Sequence, residues 1–141
     1  MVTPQEHAIA AFIAGAMSDP STYKPIKLSK DSAFTERDLS LIASKRELDE
    51  AGFYMEEGID ALSKTHDTIA YNQALGRYIK ASKWHARVCL QKSGKRLGDF
   101  YTHEFYYKTK AGNEERQEVF LRVYDSLNEV TTKNGYGLSL L

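Results

Sequence analysis

The hydrophobic pattern of this chain changes period once, and late. Before Gly94 the apolar residues recur at three and four positions, the spacing of a helix face. After Gly98 they alternate, the spacing of a sheet face. A chain whose helical half precedes an alternating half has few ways to bury both, and the pattern predicts an α+β fold. The 141 residues fit a single domain with one core, residues 1–94 mainly helical and residues 95–141 mainly a β meander.

The first helix has clear ends. Thr3-Pro4-Gln5-Glu6 is a capping box with proline in the first turn. Ile9, Phe12, Ile13, Ala16 and Met17 then share one face. Asp19 precedes Pro20 and is pushed out of the α region, so the helix is predicted to end near Ser18. Residues 20–30 read as extended. Thr35-Glu36-Arg37-Asp38 opens a second helix with Leu39, Leu41, Ile42 and Leu48, continuing through Phe53, Met55, Ile59 and Leu62, with Gly52 and Gly58 as places for a kink. Thr65-His66-Asp67 is a turn that caps a third helix, running from about Thr68 to Lys92. Its inner face is assigned to Ile69, Leu75, Tyr78, Ile79, Ala86, Val88 and Cys89. Helices two and three form an antiparallel hairpin.

In the β half, Tyr101, His103, Phe105 and Tyr107 alternate with Phe100, Thr102, Glu104 and Tyr106. Ala111-Gly112-Asn113-Glu114 turns the chain back into Val119, Leu121 and Val123. Asp125-Ser126-Leu127-Asn128 turns it again toward Glu129-Val130-Thr131-Thr132, and Leu138, Leu140 and Leu141 end it as an edge strand or a frayed tail. The expected architecture is an N-terminal helix and a long helical hairpin packed on an antiparallel meander of three to four strands. Its expected core is Ile9, Phe12, Ile13, Leu41, Ile69, Ile79, Phe105, Val119, Leu121 and Val123.

Nineteen basic residues balance nineteen acidic ones, so nothing in the overall charge drives the chain to nucleic acid, and no nucleic-acid partner is expected. No apolar run is long enough for a transmembrane segment. The apolar run from Ala8 to Ala16 comes after Glu6 and His7 rather than a basic stretch and reads as an amphipathic helix.

The order of elements resembles small secreted or lipid-anchored Bacteroidetes proteins of unassigned function. Asp19-Pro20-Ser21-Thr22-Tyr23-Lys24-Pro25-Ile26, Asp31-Ser32-Ala33-Phe34-Thr35 and His103-Glu104-Phe105-Tyr106-Tyr107-Lys108 carry the likeness. The turn Ala111-Gly112-Asn113-Glu114 departs from it, standing where that group has Asn-x-Phe-Gly, and the lipidated cysteine of the group has no counterpart. The resemblance implies the periplasm or cell envelope if a leader has been removed. Without one the chain would be cytoplasmic. It implies no activity.

Four constellations carry candidate chemistry. His85 and Cys89 lie four apart on one helix and share a face, a pair that suits zinc or copper if a third ligand such as His103 or His66 joins them. His103-Glu104 and His66-Asp67 pair a base with a carboxylate, but strand neighbours face opposite ways and Asp67 serves as a cap. Lys80, Lys83, Arg87, Lys92, Lys95 and Arg96 form a basic run with Trp84, Phe100 and Tyr101 close in sequence. Finally, the sheet is rich in aromatics, and Tyr101, His103 and Tyr107 are the candidate ligand contacts on it. The favoured expectation is a non-enzymatic binding or structural module of the bacterial envelope, without a cofactor, that recognises a protein or small molecule through the aromatic sheet. Two alternatives stand beside it: a metal-dependent or acid–base hydrolase using His85, Cys89 and His103, and a cytoplasmic regulator or inhibitor of a larger protein.

Overall fold

A computed structural model describes residues 3–126, 129–138 and 140. The fold is α+β. In chain order it has α1 (Pro4–Gly15), a single 3₁₀ turn (Pro20–Thr22), β1 (Lys24–Thr35), α2 (Glu36–Thr65), α3 (Thr68–Cys89), β2 (Arg96–Lys108), β3 (Glu114–Tyr124) and β4 (Val130–Thr132). The four strands form one antiparallel sheet in the order β1-β2-β3-β4. The chain divides into two compact units. One joins the N-terminal segment, up to Thr35, with the C-terminal segment, from Arg96 onward. The other is Glu36–Lys95. Because Thr35 and Arg96 are partners across β1 and β2, the helical unit is an insertion into a sheet that is otherwise continuous.

The sheet unit is built on α1. Thr3 caps it, accepting from the Glu6 N–H at 3.1 Å while Glu6 accepts from the Thr3 N–H at 3.4 Å. It stops at Gly15, one turn before the expected Ser18. Beyond the cap at Ala16, Met17 already bridges to Leu140. The carboxylate of Asp19, the residue before Pro20, accepts from the Ser21 N–H and hydroxyl and caps the 3₁₀ turn. Ile9, Ile13 and Met17 lie against Tyr101, Phe105, Tyr107, Val119, Leu121 and Val123, with Leu140 closing the same cluster. Each fully buried Leu, Ile or Phe here stabilises the unit by about 2–3 kcal/mol. Phe12 is only partly buried at the margin. In the tail Leu140 is buried and bridges to Met17. Leu127, Asn128 and Leu141 lie outside the described residues.

The extended segment expected over residues 20–30 becomes, from Lys24, a strand, β1, that runs on to Thr35. As an edge strand it has one partner, and three register shifts break its pairing with β2. Pro25, Lys27 and Lys30 are the residue types such an edge tolerates, and they discourage pairing with another chain. On the opposite face of the sheet from α1, Phe34 stacks on Phe100 at 5.0 Å and meets Tyr124 edge-on at 5.2 Å. Gly98 lets these strands meet: a Cβ there would lie 2.1 Å from the Val123 carbonyl oxygen and 2.9 Å from the Phe34 ring.

The helical unit obeys a different rule. α2 passes unbroken through Gly52 and Gly58. Its buried residues are Ser44, Ala51 and Gly58, each seven apart, and those of α3 are Ala74, Ala81 and Val88, also seven apart. Small residues at every second turn let the two helices approach closely. A Cβ on Gly58 would lie 2.9 Å from the Ala74 Cβ. Backbone bonds close the base of the hairpin, from the Glu36 N–H to the Lys95 carbonyl (3.0 Å) and from the Arg37 N–H to that of Ser93 (3.1 Å). The Arg37 guanidinium also donates to the Cys89 carbonyl at 2.8 Å, capping the end of α3. At the other end His66 takes a positive φ of 55° and the Asp67 carboxylate accepts from the Ala70 N–H.

This seam overturns part of the expected core. Ile69 is 70% exposed and Ile79 44% exposed, and Leu41 is half-buried. Of the expected inner face of α3 only Val88 is buried. The large side chains were read as the core because they are the most hydrophobic. They lie outside because the seam has room only for small ones.

Candidate functional site

The aromatic row of β2 alternates as expected, but the face that bears Tyr101, His103 and Tyr107 is the one α1 covers. All three are buried, and Tyr101 and Tyr107 belong to the core cluster. They form no open binding surface. His103 is 2% exposed and fully engaged. Its Nδ1–H donates to the Lys27 carbonyl at 2.9 Å, which leaves Nε2 to accept from the Tyr23 hydroxyl. The Tyr23 and Phe105 rings flank the imidazole at 5.8 and 5.3 Å. Burial lowers the His103 pKa below the usual histidine value, against a smaller opposite effect of the bond to Lys27, and burial raises that of Tyr23. Both groups are therefore held neutral. Glu104 lies on the other face and accepts from Arg116 at 3.0 Å.

With both ring nitrogens occupied inside its own unit, His103 has none to offer a metal. It cannot complete a site with His85 and Cys89. Among the described residues, no group of three His, Cys, Asp or Glu side chains gathers in a way that could hold an ion.

His85 and Cys89 do come together, and a third residue joins them. The His85 Nδ1 is 2.8 Å from the hydroxyl of the fully buried Ser44, on α2. That hydroxyl has one proton, directed to the Leu41 carbonyl at 3.3 Å, so it accepts from the imidazole Nδ1–H. Nε2 then carries the lone pair and faces the Cys89 sulfur at 3.8 Å. The arrangement orients a base toward an exposed thiol. It consists of one weak S–H···N contact on a helix surface, and hydrogen bonding and packing account for it fully. Ser44 escaped the sequence reading, which gave it no role. The seven-residue spacing with Ala51 and Gly58 was the available signal.

The basic run is divided. Lys80 and Arg87 line a groove with Trp84, Gly76 and Arg77 of α3 and Glu47 of α2. Arg77 is already paired, donating to Glu47 at 2.8 Å and to Glu50 at 3.4 Å, and it covers the Tyr54 ring at 4.6 Å. Phe100 and Tyr101 are buried in the sheet unit.

What remains open is the outside of the hairpin. Phe53, Ile59, Ile69, Tyr78, Ile79 and Leu90 are exposed large apolar residues, all in α2, in α3 or just beyond. A second groove, lined by Leu48, Gly52, Phe53, Met55 and Tyr78, runs between the two helices on one side. In the sheet unit, by contrast, Ile26, Phe120 and Tyr136 are the only large apolar residues exposed among those described. No helix among the described residues is long and apolar enough to cross a membrane. Compared with known proteins, the chain matches no family model, no curated protein and no solved structure.

Proposed function

We propose that this chain is a non-enzymatic binding module that recognises a protein through the apolar outside of its helical hairpin. One observation carries the reading: the small-residue seam of α2 and α3 leaves Phe53, Ile59, Tyr78 and Ile79 facing solvent. Phe53 and Tyr78 also line one groove with Leu48 and Met55, and exposed apolar surface rimmed by polar residues marks interaction sites. An amphipathic helix pair needs a second layer to bury its stripe. The burial of Tyr101, His103 and Tyr107 weighs against the face of the aromatic sheet that bears them. The resemblance to secreted and lipid-anchored proteins supports placing the module in the bacterial envelope.

The test is a photo-cross-linking amino acid placed at Ile79 and, as a control, at Phe120 on the sheet. A discrete adduct from position 79 and none from position 120 supports the reading. Adducts only from the sheet position sink it. Cell fractionation tests the envelope half separately, and a purely cytoplasmic pool would remove that half alone.

A further inference from the structure

We infer that the occupant of the hairpin face is a second copy of this chain, the two hairpins closing into a four-helix bundle. The inference rests on the docking reading above and names its partner. Three observations lead to it.

The first is periodicity. Beside the buried seam of α2 runs a second stripe, Leu41, Leu48, Met55 and Leu62, again at intervals of seven. All four are half-buried. On α3, Tyr71, Tyr78 and His85 repeat at the same interval. A straight helix drifts relative to a seven-residue repeat, and helices that keep one over several turns suit left-handed supercoiled bundles. One stripe of α2 faces its own α3. The next stripe borders it, about 40–60° round the helix, and Leu48 and Met55 of that stripe line the open groove with Tyr78.

The second is charge. α2 carries eight carboxylates against four cations, a net of −4. α3 carries four cations and no carboxylate, a net of +4. With a two-fold axis along the helices, each α2 lies beside the partner copy's α3 and runs antiparallel to it, as it does to its own. Every neighbouring pair in the bundle is then acidic against basic. An arrangement with α2 on α2 would oppose like charges. A single surface bearing both signs in this way is self-complementary, as an isologous interface requires.

The third is the rim. Asp49 and Glu56 of α2 line the groove beside Leu48, Met55 and Tyr78, where a cation of the partner copy's α3 can reach them. Asp49 is held by Lys45 at 2.7 Å on its own helix, an exposed pair that is readily exchanged.

Sedimentation equilibrium of the full chain, from micromolar to near-millimolar concentration, tests this. The expected result is a reversible doubling of mass. Leu48→Glu with Met55→Glu should weaken the association roughly tenfold or more. Should that pair fail to fold, Ile79→Glu at an exposed position gives the same readout, with circular dichroism confirming the fold. A wild-type chain that stays monomeric overturns the inference. So does a dimer that survives these substitutions, because its interface then lies elsewhere. A monomer that still cross-links from position 79 to another protein overturns the second copy and leaves the docking reading standing. A monomer with no such adduct removes both.

Discussion

The sheet unit is held together by large side chains and the hairpin by small ones. In the first, Phe105, Leu121, Ile9 and Ile13 fill a core between α1 and the sheet. In the second, Ser44, Ala51, Gly58, Ala74 and Ala81 form the contact, and the large residues point away. The sheet unit therefore derives its stability from area removed from water. The hairpin derives its own from close backbone approach, helix hydrogen bonds and ion pairs such as Arg77 with Glu47, and leaves large apolar side chains in solvent.

Substitutions that add bulk and substitutions that remove it should act oppositely in the two units. The largest effect is expected at Gly98. Valine there would press its Cβ into the backbone of β3, and the cost should be about 4 kcal/mol or more, read by urea denaturation. Next is removal of bulk from the same unit. Phe105→Ala should cost about 3–5 kcal/mol because the site is sealed on all sides. In the hairpin, Gly58→Leu should cost about 1–3 kcal/mol by wedging α2 from α3. The loss should appear as faster amide exchange in those helices. The smallest effect belongs to Ile69→Ala, expected within about 0.5 kcal/mol because the side chain is already in water. A cost as large as that at Phe105 would break the contrast between the two units.

The polar pair within the sheet unit adds a pH dependence of its own. His103 has a lowered folded pKa, so the unfolded chain takes up its proton first as pH falls. Its contribution is fully present above about 6.5, the unfolded value, and is lost as pH drops from there toward the folded pKa. Tyr23, whose pKa is raised, acts at the other end and loses its contribution above its ordinary value near 10. Stability measured between pH 8 and 5 should therefore fall at the acid end, an effect of intermediate size. His103→Gln, with no titrating ring, should flatten that slope while lowering stability overall. An unchanged slope would show that other groups carry it.

Much of the fold was legible. The capping box at Thr3, the turn at Gly112 and the cap at Asp67 come from local chemistry that acts within a few residues, and the alternation along β2 comes from the pleat. The candidate site was less so. The face carrying Tyr101, His103 and Tyr107 was identified correctly as a face, yet alternation does not say which face a helix will cover. Ile69 and Ile79 were assigned inward on hydrophobicity, although Ala74, Ala81 and Val88 stood at seven-residue spacing in the same helix.

By itself, then, the sequence determined the class of each element, their order, and the ends of most of them, because caps, turns and periodicity depend on neighbours along the chain. Only the tertiary structure decided that β1 pairs across the inserted hairpin, that His103 is enclosed by Tyr23 and Lys27, and that the hairpin buries alanine and exposes isoleucine. Those outcomes depend on residues tens of positions apart competing for the same space. In the hairpin, close backbone approach won that competition over the hydrophobicity of any single side chain.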